Sequence, residues 1–406
     1  MISKRAEILF KETPPLVEAH FKCAADPYHN ETNRDGYINF GTAENFLLEE
    51  KLVEKISTIP NITGKTLHYD FPWGSEALRT SYASFAEKFL GIENINSDNI
   101  AVGCGLSAIL EILSFSVFDE GDKVLTIAPL YNGFYHDFET RFKAKIELSH
   151  SIDRKGVINR EILSKDLKNT GAKFLLINNP HNPIGHCYSK SDIRMIIEVA
   201  KENSVFIIAD EVYANSVFGD SEFISFLSEE FNDLDYKESI LHLYGLAKDF
   251  ALSGFKVGFF LSHNEKVTKA VQSLTYFHTV STHTQHIVNN IISDHKWCEE
   301  LFKYNNQSLN ETFSELTDGL NEIGIKYFPS NSGIFTMIDL SPFMKEQSAQ
   351  AEMELFKTLV DDFKISITPG QFFGQSEYGY FRVCYAKPKV ILSAFLERLT
   401  KLKVSE

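Results

Sequence analysis

Apolar and polar positions change their rhythm along this chain. In its middle third, several short runs are apolar almost throughout. They are Lys123-Val124-Leu125-Thr126-Ile127-Ala128-Pro129, Ala172-Lys173-Phe174-Leu175-Leu176-Ile177-Asn178, Ser204-Val205-Phe206-Ile207-Ile208-Ala209-Asp210-Glu211 and Ser239-Ile240-Leu241-His242-Leu243-Tyr244. Such runs, with little polar alternation, fit strands buried on both faces. Helical stripes separate them. Residues 76 to 90 place Leu78, Tyr82, Phe85 and Phe89 on one face, and a helix after Ser107-Ala108 carries Leu110, Leu113, Phe115 and Val117. Another helix spans roughly 190 to 202. Strands divided by helices predict an α/β domain with a mostly parallel sheet between helices.

The two ends of the chain read differently. Turn signals cluster in Asp26-Pro27-Tyr28-His29-Asn30 and Asn33-Arg34-Asp35-Gly36, which makes residues 1–50 an N-terminal arm that joins a small domain. Beyond the large domain, placed at 51–290, residues 291–406 read as a smaller α+β domain. Long helices cover about 285 to 325, and strands are expected at Lys326-Tyr327-Phe328, at 333–340, at 365–370 and at 380–386. A helix at about 350 to 362 and one from Lys389 complete it.

Length and charge narrow the class. A chain of 406 residues suggests about two domains and a large core. With a net charge of -15, neither nucleic acid nor an anionic membrane is a natural partner. The five cysteines are widely spaced, with no cluster that reads as a metal site, and a reducing, cytoplasmic compartment fits them. The opening MISKRAEILFKETPP lacks the apolar core of a leader, and no apolar run approaches membrane-span length.

Candidate chemistry collects at the ends of the apolar runs. Asn182, Asp210 and Lys248 each lie just past a different predicted strand, and Gly105 lies past a fourth. In parallel sheets ligands sit beyond those carboxyl ends. The turn Gly103-Cys104-Gly105 opens a helix, whose free N–H groups suit a phosphate. It lacks the third glycine of a dinucleotide fingerprint. Lys248 follows an apolar run; burial there would lower its pKa and free the amine as a nucleophile. The alternative is a surface lysine at a strand end. Glu44 and Asn45 either cap the helix signalled by Phe46, Leu47, Leu52 and Ile56 or face a substrate.

Taken together, these segments resemble the fold-type I pyridoxal phosphate (PLP) enzymes. Within them the chain is similar to class I/II aminotransferases, in the 1-aminocyclopropane-1-carboxylate (ACC) synthase-like branch. The resemblance runs from about residue 14 to the end. It is carried by Gly41-Thr42-Ala43-Glu44-Asn45, Gly105-Leu106-Ser107-Ala108, Asn179-Pro180-His181-Asn182-Pro183-Ile184-Gly185, Asp210-Glu211-Val212-Tyr213, Lys248-Asp249 and Phe381-Arg382-Val383-Cys384. It implies that Lys248 would hold PLP as an aldimine and move the substrate Cα proton, forming a quinonoid. Asp210 would pair with the pyridine nitrogen, Tyr213 and Asn182 would reach the ring's 3-oxygen, and Tyr131 would stack on the ring. Gly105, Leu106, Ser107 and Lys256 would surround the phosphate. Arg382 would clamp the substrate carboxylate, beside Glu44 and Asn182. Tyr69, at the aminotransferase spacing before Arg79, would reach the cofactor of a second subunit in a homodimer.

Departures from the family pattern bear on function. Gly245 and Ala247 stand where the family usually has serines, and Lys256 stands where it has an arginine. Lysine keeps the charge and loses the bidentate fork, which predicts looser cofactor binding. Leu16 falls where ACC synthases have a tyrosine near the substrate. The resulting expectation is an aminotransferase acting on a small-molecule α-amino acid. The alternative is an ACC-synthase-like lyase or cyclase, favoured by Glu44 and the arm motifs.

Overall fold

The structure, a computed structural model, describes residues 2–7, 13–60 and 62–402. The opening segment is therefore described only in part, and residues 8–12 lie outside the description. In chain order the strands are β1 (Ile38–Asn39), β2 (Ile100–Gly103), β3 (Lys123–Ile127), β4 (Lys145–Ser149), β5 (Phe174–Asn178) and β6 (Phe206–Asp210). They continue with β7 (Ile240–Gly245), β8 (Gly258–Leu261), β9 (Phe335–Asp339), β10 (Ile365–Ser366), β11 (Thr368–Pro369) and β12 (Tyr380–Cys384).

Seven of these strands form the central sheet, in the order β2-β8-β7-β6-β5-β3-β4. β7, β6, β5, β3 and β4 pair in parallel, while β8 runs antiparallel to both of its neighbours. Side chains along a strand alternate in direction, so a sheet covered on both faces sends successive residues into two different cores. β5 does this: Phe174 and Leu176 enter one cluster, Leu175 and Ile177 the other. β6 splits in the same way, Ile208 to one side and Ile207 and Ala209 to the other. Burial on both faces is why these strands carry no polar alternation in sequence.

Local signals set the helix ends. Ser75 accepts from the Leu78 N–H to start Glu76–Leu90, and Gly91 ends it in the left-handed region. A capping box between Ser189 and Asp192 starts Lys190–Glu202. Both helices stand where their stripes place them. The β7–β8 connection is a hairpin, closed where Gly245 faces Gly258. It carries Lys248 and Lys256.

The smaller α+β unit has the antiparallel sheet β11-β12-β9. β1 of the arm pairs in parallel with β10, and Ala19, Ile38 and Phe40 join the core of this unit. The helix His295–Glu322 bridges both bodies: Cys298, Leu301 and Phe302 pack into the large core, and Leu309, Leu316 and Leu320 into the small one. The expected strand at Lys326-Tyr327-Phe328 shrinks to one bridge, Tyr327 with Ile338. No helix among the described residues is long and apolar enough to cross a membrane.

Candidate active site

Beyond the carboxyl ends of β5, β6 and β7 lies a cavity of about 220 Å³. Gly105, Leu106, Ser107, Tyr131, Asn182, Asp210, Tyr213, Lys248 and Lys256 all line it. Sheet register explains the convergence, since Asn178 pairs with Asp210 and Asp210 with Leu243. The loop after β5 is tied down by Asn178, whose amide donates to the Asp210 carbonyl at 3.0 Å and whose oxygen accepts from the Asn182 N–H at 2.7 Å.

At one end of the cavity the helix Leu106–Val117 begins. Gly105 stands at its N-cap with φ +88°, a conformation that side chains rarely adopt. β8 approaches this turn closely: a Cβ on Gly258 would lie 2.8 Å from Gly105 C and from Leu106 N. The result is a rim of main-chain N–H groups at a helix N-terminus, beside the Lys256 ammonium, and that is a setting for a phosphate.

The centre holds Lys248 and Asp210. Lys248 Nζ donates to the Ala43 carbonyl at 2.6 Å. Burial pulls its pKa down to about 8, and the nearby Arg382 charge works in the same direction. Asp210 is buried and accepts from the Val212 N–H at 3.3 Å. Burial pushes its carboxyl up to about 7. A buried carboxyl with one main-chain donor is completed by a cationic N–H, such as a protonated pyridine nitrogen. Tyr131 is pushed up to about 12 by burial, so its phenol stays neutral.

Arg382 does not line the cavity itself but is tied to its wall through Asn182. It is buried, donates from Nη1 to Asn182 Oδ1 at 3.2 Å and from Nη2 to the Gly41 carbonyl, and has no partner at Nε. Its guanidinium carbon lies 4.9 Å from the Phe373 ring centre. Burial lowers its pKa from the usual range, but a guanidinium remains charged. A carboxylate arriving here would meet a fork already oriented by Asn182.

Besides Arg382, two expected site residues stand off the cavity lining. Glu44 does not line the cavity, but its carboxylate accepts from Ser253 Oγ at 2.8 Å on the cavity wall. The capping reading of Glu44 and Asn45 is corrected: the helix is Glu49–Thr58, its N-cap is Leu48, and the Asn45 oxygen accepts from the Leu47 N–H instead. Tyr69 is fully exposed and lines no part of the cavity.

Asp137 is a lining residue that the sequence reading passed over. Its Oδ2 has no partner, and burial pushes its carboxyl up to about 7. The available signal was an acid three residues after Phe134 and one before Phe138, on the buried face of Gly133–Phe142. Asp249, buried behind Lys248, is raised to about 6 by burial while Ser216, Asn215 and Tyr244 hydrogen-bond to it.

Comparison with known proteins shows the family. The family model for aminotransferase class I and II matches residues 36–399. The chain is 32% identical over 392 residues to 1-aminocyclopropane-1-carboxylate synthase 6 of Oryza sativa subsp. japonica, covering 90% of this chain and 72% of the relative. It is 29% identical to 1-aminocyclopropane-1-carboxylate synthase 7 of Arabidopsis thaliana, covering 89% and 85%. Among solved structures, aspartate aminotransferase from Thermus thermophilus with maleate superimposes with a TM-score of 0.81 at 18% identity, over 99% of this chain and all of that one. N-succinyldiaminopimelate aminotransferase from Mycobacterium tuberculosis gives 0.81 at 20% identity, again over 99% of this chain and all of that one. A buried lysine near neutrality, an incomplete carboxyl at a strand end and a helix N-terminus suit one cofactor, and the chain belongs to the PLP-dependent class I and II aminotransferase family, in its ACC synthase-like branch.

Proposed function

We propose that the protein is an aminotransferase for an α-amino acid. The observation that carries this reading is a cavity lined by Lys248 and Asp210, with Arg382 joined to its wall through Asn182 and the lysine amine held near neutrality by burial. PLP, when bound, supplies an electron sink for the bond broken at the substrate Cα. Asp210 would keep a positive charge on its ring nitrogen. Tyr131 would offer a flat face, and Asn182 and Tyr213 would donate to its ring oxygen. The N–H groups of Leu106 and Ser107 would hold its phosphate, together with the Ser107 hydroxyl and Lys256. Arg382 exchanges the Gly41 carbonyl for the substrate carboxylate. Lys248, neutral in a large fraction near pH 8, takes the Cα proton and returns it.

Leu16 supports transfer over side-chain elimination. It packs against the small-domain core and leaves the arm without a tyrosine hydroxyl at that position. A second reading, an ACC-synthase-like lyase or cyclase, is favoured by the names of the relatives at 29 to 32% identity. A panel of amino acids with the PLP-loaded protein separates the two. Keto-acid release with conversion of the cofactor to its amine form supports transfer. A released side-chain fragment with PLP regenerated sinks it.

The protein acts as a homodimer in this reading. Tyr69 is fully exposed, Leu67 and Phe71 beside it in sequence are exposed, and so are Tyr276 and Phe277, in the segment that precedes Thr282, which donates to the Thr66 carbonyl. Such apolar exposure fits a covered interface, with Tyr69 reaching the partner's phosphate site. Equilibrium sedimentation that finds only monomer removes this part.

A further inference from the structure

Asn305 is an amide in an apolar setting. On His295–Glu322 it shares the buried stripe of Leu301, Phe302 and Leu309, and it is wholly buried. An amide there is costly unless both of its ends are partnered. Its Oδ1 accepts from Asn45 Nδ2 at 2.8 Å, and its Nδ2 donates to Ser216 Oγ at 3.3 Å. Ser216 Oγ in turn donates to Asp249 Oδ1 at 2.7 Å. The donors all point from Asn45 toward the carboxylate, so each bond polarises the next.

Both ends of this relay border the same lysine. Asn45 lies two residues past Ala43, whose carbonyl accepts from Lys248 Nζ at 2.6 Å. Asp249 is the residue after Lys248. The 43–45 segment therefore meets the lysine hairpin at the amine and, through Asn305 and Ser216, at the Asp249 carboxylate behind it. An apolar side chain would fill the same space in the stripe, so packing alone does not call for an amide.

We propose that Asn305 is a positioning residue for Lys248, fixing the lysine hairpin against the 43–45 segment through Ser216 and Asp249. This rests on Lys248 as the lysine that carries the cofactor. Borohydride reduction of the PLP-loaded wild type, followed by peptide mass mapping, checks that assignment separately. The relay is then tested on the PLP-loaded enzyme by titrating the visible band of the lysine-bound cofactor against pH. Asn305→Leu and Asn45→Ala are each expected to move its midpoint by about half a pH unit or more, and the double variant by no more than the larger single shift. An unchanged midpoint in folded single variants, whatever their melting temperature, overturns the proposal. So do shifts that simply add. If Asn305→Leu does not fold, Asn45→Ala and Ser216→Ala, which cut the relay at its loop end and its middle, decide on the same readout.

Discussion

Lys248 Nζ and the carbonyl oxygen of Ala43 lie 2.6 Å apart, and Arg382 Nη2 donates to the Gly41 carbonyl two residues earlier. One short stretch of the arm thus accepts hydrogen bonds from two of the basic side chains of the site. A substrate that carries a carboxylate and an amine competes with that stretch at both points.

In the proposed reading, replacing Lys248 by Ala removes the base and the covalent anchor together. Turnover is expected to fall by about a thousandfold or more. Borohydride should fix no cofactor to residue 248. Normal turnover in Lys248→Ala would end the reading of this site.

Asp210 gives a prediction about stability. Its folded pKa is raised by burial from 3.8 to about 7, so the fold favours the proton-bound form. Stability present at about pH 4 is lost as pH rises through about 7. In cofactor-free protein, Asp210→Asn should lose less stability over this range than wild type. Asp137 and Asp249, raised to about 7 and about 6, keep part of the slope in the variant. Urea midpoints across the range measure it, and equal slopes would show that Asp210 does not titrate there.

The phosphate end should bind more tightly after small changes. A Cβ on Gly245 would meet nothing closer than the Val257 carbonyl oxygen at 3.5 Å, so a serine fits. A hydroxyl there adds a hydrogen bond to a charged group, and Gly245→Ser is expected to lower the Kd for PLP by about tenfold. Lys256→Arg should act in the same direction by restoring a fork. Dialysis that strips PLP equally from wild type and both variants would refute the looser cup.

Gly258→Ala tests the close approach of β8 to the helix start. Its Cβ would sit 2.8 Å from Gly105 C and Leu106 N, so the turn must move. The expected cost is about 1–3 kcal/mol of stability, with a clear loss of PLP affinity. Chemical denaturation and fluorescence titration read the two effects, and wild-type values in both would show that the turn yields freely.

Much of this was legible in the chain because burial on both faces leaves unbroken apolar runs. β5, β6 and β7 announce themselves, and the polar residues at or just past their ends, Asn182, Asp210 and Lys248, mark the cavity. β4 was harder. It lies at the sheet edge with Lys145 exposed, and its polar positions blur the pattern. Asp137 was missed because helical spacing alone does not say that a cavity lies beside that face. The Asn45–Asn305–Ser216–Asp249 relay joins residues up to 260 positions apart, and no local pattern records such a pairing.

The hairpin that carries Lys248 has a consequence for how this protein can change. Its two ends, Gly245 and Gly258, are locked face to face, so the twelve residues between them form a short replaceable cassette. In the proposed reading, substitutions inside it change how a phosphate is held while the Gly245–Gly258 pair keeps the register of β7 and β8. Within it, Ala247 and Lys256 can be exchanged for serine and arginine one at a time, while Gly245 belongs to the frame at the end of β7.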